Sequence, residues 1–139
     1  MEGHRAFADA ALGLVGAPFR LQGRDCTTGL DCIGVVACAL AKTGRTSRFP
    51  KSYHLRSGSL ALFERGADAH GFRRLDLDQP LTLGDVLLCR PGPAQFHLMV
   101  LTGRGLVHAH AGLGRVVLMP APAPWPLIAA WRLTQLQQD

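Results

Sequence analysis

The spacing of apolar residues changes about halfway along the chain. Apolar residues recur at a helical period in residues 2–15, and the run 32–42 is almost entirely apolar, which predicts a surface helix followed by a buried one. A short third helix is predicted over residues 60–65. Beyond residue 80, turns rich in glycine and proline separate short apolar runs at 86–89, 97–101, 106–110, 116–119 and 127–133. This order predicts an α+β fold, with helices on one face of an antiparallel sheet of about five strands.

Composition limits the remaining possibilities. The 139 residues, 47% hydrophobic and 18% charged, fit one globular domain spanning 1–139. No apolar run reaches the roughly 18 residues of a membrane span, and the N-terminus lacks the pattern of a signal peptide. We therefore expect a cytoplasmic or particle-associated protein. The net charge of +5 comes from scattered arginines without interleaved aromatic residues, which indicates a solvated basic surface and no nucleic-acid partner.

Cys32 is the residue whose position points most directly to chemistry. It follows a Gly-Leu-Asp turn and begins the buried helix, where backbone N–H groups and the helix dipole lower a thiol pKa and favour a nucleophile. A buried structural thiol is the alternative. The spacing of Cys26, Cys32 and Cys38 is not that of a zinc or redox site. A Cys26–Cys32 disulfide remains open, and Cys38 and Cys89 are predicted as core residues.

Histidines on two neighbouring predicted strands supply a candidate base. His97 begins the first strand and His108 lies near the end of the second, so the two meet across a hairpin. His97 could accept the thiol proton, and a neutral His108 could orient it. His110 shares the strand face of His108 and is the alternative third residue. A metal site at the three histidines is conceivable, but no acidic residues follow to support it, and we predict neither metal nor cofactor.

Four segments together resemble the NlpC/P60 cysteine peptidases, in the same order along the chain: 16–20 (Gly-Ala-Pro-Phe-Arg), 29–36 (Gly-Leu-Asp-Cys-Ile-Gly-Val-Val), 83–87 (Leu-Gly-Asp-Val-Leu), and His97 followed by 107–109 (Val-His-Ala). The resemblance implies a compact papain-like fold and hydrolysis of amide bonds in the stem peptides of bacterial peptidoglycan. It makes Cys32 the nucleophile, His97 the base and His108 the third residue. Ile33 stands where secreted members of that family usually have serine, and the N-terminus shows no leader pattern. In these two respects the sequence looks more like the phage-tail and prophage-encoded branch of the family.

Three further residues are candidate substrate contacts. Asp31 could bind a substrate amine, as the resemblance implies, or simply cap the helix. Phe19 replaces a family tyrosine, which removes a hydroxyl donor, and Gln22 stands where a glycine is common and could supply a polar group.

The sequence thus predicts a cysteine endopeptidase or amidase that acts on peptidoglycan stem peptides, with phage-tail-like assembly proteins as possible partners. One alternative is an inactive wall-binding or tail structural protein of the same fold. Another is an acyl- or amide-transfer enzyme acting on lipids, which the order of cysteine before histidine disfavours.

Overall fold

The computed structural model describes residues 2–45, 60–93 and 95–134. In these residues three helices come first, namely α1 (Glu2–Leu12), α2 (Cys32–Lys42) and α3 (Leu60–Ala69). A small antiparallel hairpin, β1 (Arg24–Asp25) and β2 (Gly29–Leu30), lies between α1 and α2. The remaining strands are β3 (Phe72–Arg74), β4 (Val86–Gly92), β5 (Gln95–Thr102), β6 (Gly105–His110), β7 (Arg115–Met119) and β8 (Leu127–Leu133). None of the described helices is long and apolar enough to cross a membrane.

The main sheet is antiparallel and has the order β3-β8-β4-β5-β6-β7. It confirms the α+β prediction, but it has six strands where the sequence predicted about five. The five apolar runs became β4 to β8, and the extra strand is β3, which pairs with β8 at one edge. Only one of its three residues, Phe72, is buried, so β3 is too short for an alternating pattern to reveal it.

The helices follow the predicted pattern with small differences at their ends. Helix α2 has the predicted bounds, and Gly44 just beyond it adopts a left-handed φ of +89°, as expected of a glycine that ends a helix. Helix α1 ends earlier than predicted, at Leu12, and α3 continues past residue 65 to Ala69. Residues 19–31, between α1 and α2, contain the β1–β2 hairpin.

The two faces of the sheet bury different side chains because neighbouring residues of a strand point in opposite directions. One face packs against α1 and α2 and forms the larger core, which includes Leu88, Leu98, Val100, Val107 and Ala109. The opposite face carries a smaller cluster of buried side chains, which are Leu87, Cys89, Met99 and Leu106. We call this second surface the outer face of the sheet.

A buried ion pair holds the start of β4 against β8. The carboxylate of Asp85 is fully buried and accepts hydrogen bonds from Nε and Nη2 of Arg132, both at 2.9 Å, and from the backbone N–H of Thr82 at 2.8 Å. Its backbone oxygen accepts from the N–H of Leu101 on β5. Asp85 therefore ties three strands together, which explains the Gly-Asp pair before β4 in structural terms.

Candidate functional site

Asp31 caps α2 and fixes the loop before it. Its carboxylate accepts from the N–H of Gly34 (2.8 Å), the N–H of Gln22 (2.9 Å) and Nη1 of Arg24 (2.8 Å), and the residue is 5% exposed. The bond to Gly34 is the N-cap interaction expected of an aspartate. Three donors of the protein therefore already bind the carboxylate that was predicted to contact a substrate amine. The contact between Asp31 and a substrate stays a prediction.

Three glycines let the loop press against the first turn of α2. A β-carbon on Gly34 would lie 2.1 Å from the backbone oxygen of Gly23, and one on Gly23 would lie 2.2 Å from that of Gly29. Because real β-carbons do not approach backbone that closely, any side chain at these positions would push the loop and helix apart. The glycines thereby fix the position of Cys32 relative to residues 19–31.

The thiol of Cys32 lies at the start of α2 against strand β5. Burial raises the pKa of this thiol to about 12, and the negative charge of Asp31 acts in the same direction. Backbone N–H groups of Leu98, Ile33 and Cys32 itself oppose the shift without reversing it. The expectation from the helix terminus was a lowered pKa, and the structure reverses it because removal from water and the neighbouring carboxylate outweigh the helix N–H groups.

A gap between β5 and β6 explains how the backbone of Leu98 reaches this thiol. The pairing of β5 with β6 extends from Thr102–Gly105 only to Val100–Val107. The N–H of Leu101 points to the other side, toward Asp85, so the N–H of Leu98 points toward β6 but lies beyond the last paired residues. It is therefore available to the sulfur of Cys32. Leu98 is the residue that follows the candidate base, His97, in the chain.

The histidines come together as predicted, and a tryptophan packs against them. The ring centroids of His97 and His108 are 5.7 Å apart, and His108 and His110 are separated by the same distance. Trp125 meets His97 at 5.4 Å and His108 at 6.0 Å, with its ring almost perpendicular to both. The structure thus assembles the candidate base and third residue against the indole.

His97 and His108 are uncharged at neutral pH. Burial lowers the pKa of His97, helped by the charge of His110. Burial and then the charges of His97 and His110 lower the pKa of His108 to about 4. Among the described residues, Nδ1 of His97 and Nδ1 of His108 have no hydrogen-bond partner although both are buried. An unpaired buried imidazole nitrogen is costly, which favours a polar ligand or water at these positions.

His108 and His110 occupy different surroundings. His108 is 2% exposed, whereas His110 is partly exposed and its Nδ1 accepts a hydrogen bond from the N–H of Leu113 at 3.0 Å. That bond engages His110 in the turn after β6. The buried His108, in ring contact with His97, is therefore better suited to orient the base. Within the described ranges, no group of three or more His, Cys, Asp or Glu side chains is arranged to hold a metal ion.

Phe19 and Gln22 lie on the loop before the nucleophile. Phe19 is partly buried against the larger core, and its N–H donates to the oxygen of Gly114 in the turn after β6. Gln22 is exposed and has a left-handed φ of 61°. With Arg20, Arg24 and their neighbours it lines a polar cavity of about 550 Å³. Both residues therefore border the loop over Asp31, where the sequence placed substrate contacts.

The four cysteines are free thiols. Cys26 lies beside Cys38. Burial, then the negative charge of Cys26, and also a hydrogen bond from the Cys38 thiol to Cys26 raise the pKa of Cys38. Cys89 is fully buried on the outer face, as expected of a core residue, and Cys38 is partly buried. The structure therefore does not contain the Cys26–Cys32 disulfide that the sequence left open.

Sequence reasoning missed two groups at this site. Trp125 stands in a proline-rich segment with no periodicity that would mark it as part of the site. The backbone N–H of Leu98 was also missed, because no pattern of residue types indicates where the hydrogen-bond pairing of two strands ends.

Comparison with solved structures finds the same fold in NlpC/P60 domains. The NlpC/P60 domain of the peptidoglycan hydrolase SagA superimposes with a TM-score of 0.57 at 22% identity, over 84% of this chain and 88% of that domain. The P60 domain of an antigen from M. avium subspecies paratuberculosis gives a TM-score of 0.59 at 21% identity, over 95% of this chain and 94% of that domain. No family model matches the sequence, and no curated protein matches it either. The chain therefore has the NlpC/P60 fold along nearly its whole length.

Proposed function

We propose that the protein is a cysteine hydrolase that cleaves amide bonds in the stem peptides of peptidoglycan. The observation that carries this proposal is the arrangement at the β5–β6 gap. Cys32 begins α2 with its sulfur beside the N–H of Leu98, the next residue after His97, whose ring lies 5.7 Å from that of His108. A thiol, a neutral imidazole and an orienting group in this order suit nucleophilic acyl transfer. The shared fold with the domain of a peptidoglycan hydrolase supports the choice of substrate.

In this proposal Cys32 and His97 are both uncharged before the reaction. Sγ attacks the carbonyl carbon of the stem peptide while the thiol proton passes to His97, which later delivers it to the leaving amine as the C–N bond breaks. Water then hydrolyses the thioester, with His97 accepting and returning a proton. The N–H groups at the start of α2 have no partner within the helix and could stabilise the oxyanion.

His108 is proposed as a positioning residue for His97. Its low pKa keeps it neutral, so it offers a lone pair to one nitrogen of the base. Ile33 after the Asp-Cys pair supports the further proposal that the protein reaches the wall as part of a phage-tail-like particle.

A second candidate is a wall-binding protein of the same fold without hydrolytic activity. Two features favour it: the strongly raised pKa of Cys32, which opposes thiolate formation, and Phe19 in place of a hydroxyl-bearing residue. In this candidate the same residues bind the wall without cleaving it.

The test is incubation of the protein with purified sacculi of several peptidoglycan types, followed by mass spectrometry of the released fragments. Cys32→Ala removes the nucleophile, and Cys38→Ala is the matched control because it removes another free thiol from the same helix, six residues further along α2. Fragments released by the native protein and by Cys38→Ala, but not by Cys32→Ala, identify the hydrolase and its scissile bond. Co-sedimentation with sacculi but no released fragment identifies the binding protein instead.

A further inference from the structure

An apolar cavity lies on the outer face of the sheet, next to the histidines. It has a volume of about 380 Å³, within the range of small-molecule sites. Its floor consists of side chains from β4, β5, β6 and β8, and the segment 121–125 forms its opposite wall. We propose that this cavity binds an aliphatic chain, an acyl or alkyl group, whose polar end lies at His97 and His108.

The chemistry of the walls selects an aliphatic group. Apart from the thiol of Cys89 and the indole of Trp125, every lining side chain is leucine, alanine or proline. The backbone of β4 is engaged on both sides by β5 and β8, so the floor offers few free hydrogen-bonding groups. A sugar, a peptide or a charged side chain would lose its water here without replacement partners. A methylene chain loses nothing of this kind and gains from burial.

The position of the cavity defines where the polar end lies. Trp125 is both a wall of the cavity and the ring that packs edge-on against His97 and His108. Cys89, on the floor, is paired directly with His97 across β4 and β5. The cavity and the histidines are therefore neighbours on one sheet face.

The histidines offer groups that such a ligand could satisfy. Nδ1 of His108 belongs to a side chain that is 2% exposed and has no hydrogen-bond partner among the described residues, and Nδ1 of His97 is also unpartnered. A hydroxyl or carbonyl at the end of an aliphatic chain matches an uncharged imidazole, because it can exchange a hydrogen bond without adding charge. This inference goes beyond the proposed hydrolysis of stem peptides and does not depend on it.

The test measures binding of octan-1-ol by tryptophan fluorescence, with butan-1-ol as the shorter probe. Each buried methylene strengthens binding by about fourfold, so we expect octan-1-ol to bind at least tenfold more tightly than butan-1-ol. Trp125→Phe should abolish the signal, which assigns it to the cavity wall and not to Trp131.

Substitutions in the segment 121–125 locate the site. Ala123→Leu fills the cavity from its wall and should weaken octan-1-ol binding at least tenfold, whereas Ala111→Leu, in an exposed turn away from the cavity, should leave it unchanged. If circular dichroism shows that Ala123→Leu does not fold, Ala121→Leu, at an exposed lining position, replaces it.

Three outcomes overturn the inference: no saturable binding, equal binding of the two alcohols, or unchanged binding in the folded filling variant. The alcohol-binding assay contains no sacculi, so its result does not depend on hydrolysis. A protein that binds octan-1-ol but releases no wall fragments would therefore refute only the proposed function. Wall cleavage without alcohol binding would refute only this inference.

Discussion

The protonation state of Cys32 gives the sharpest prediction about the site. The thiol has a pKa of about 12, so only about one molecule in 10⁵ carries a thiolate at pH 7. An ordinary cysteine with a pKa near 8.5 has roughly one in 30. A more basic thiolate is a better nucleophile, and with a Brønsted slope of about 0.45 this recovers roughly 40-fold of the difference. We therefore expect Cys32 to react roughly 80-fold more slowly than a free cysteine at pH 7.

The assay is alkylation by iodoacetamide from pH 6 to 11, with the modification of each cysteine followed by mass spectrometry. The rate at Cys32 should rise about tenfold per pH unit up to pH 10 without levelling off near neutrality, relative to a free thiol such as glutathione measured alongside. Asp31→Asn should increase the rate at a given pH, because it removes the charge that helps raise the pKa and keeps a side chain that can cap α2.

A rate that levels off between pH 6 and 8, or that equals the rate of glutathione at pH 7, would refute the reasoning. It would mean that a thiolate–imidazolium pair already exists in the free protein. If the alkylation rate of Cys32 is unchanged in the folded Asp31→Asn variant, the Asp31 carboxylate does not raise the pKa of Cys32.

Four further outcomes are expected. Asp85→Ala leaves three hydrogen-bond donors without their buried partner and should cost about 3 kcal/mol, or about 10 °C in Tm by calorimetry; an unchanged Tm would contradict the anchoring role. Gly34→Ala should lower the free energy of unfolding in urea by about 1–3 kcal/mol through its clash with the loop, whereas Gly3→Ala, whose β-carbon has room, should be harmless. The pKa of His108 is lowered from 6.5 to about 4, so the unfolded chain binds a proton at this histidine at higher pH than the folded protein does. The free energy of unfolding should therefore be highest above pH 6.5 and fall by about 3 kcal/mol as pH drops toward 4. Urea denaturation of His108→Gln at several pH values should lack this decrease. Phe19→Tyr restores the hydroxyl implied by the family resemblance and should raise sacculus hydrolysis by roughly 100-fold if it reaches the oxyanion, and an unchanged rate would exclude that contact.

Sequence periodicity was sufficient for most of the fold. The run 32–42 is both apolar and bounded by a capping aspartate and a terminating glycine, so the limits of α2 could be read directly. The strands β4 to β8 are long enough to show apolar runs between turn residues. Strand β3 has only three residues, and its pairing with β8 depends on contacts between segments about 60 positions apart, which no local pattern encodes.

The proximity of the histidines could be predicted from the sequence, but the electrostatics around Cys32 and Asp31 could not. The rings of His97 and His108 lie together as predicted, although the β5–β6 register, if extended, would place His97 opposite His110. The pKa of Cys32 was misjudged because a helix N-terminus was weighed without the burial and the carboxylate that accompany it in the fold. Asp31 shows the same limitation: the sequence offers a carboxylate beside the thiol, but only the structure shows that Arg24 and two backbone N–H groups already engage it.

These electrostatics determine when the proposed reaction can begin. With the pKa of Cys32 raised to about 12 and that of His97 lowered from 6.5, moving the proton from sulfur to imidazole in the free protein is costly. A bound substrate can reduce the cost only by stabilising the charges that form, through the oxyanion at the start of α2 or a polar group at the unpaired histidine nitrogens. Proton transfer and attack on the carbonyl should therefore occur in one step. Single-turnover measurement of the thiol-attack step should show a normal solvent deuterium isotope effect, which attack by a preformed thiolate would not give.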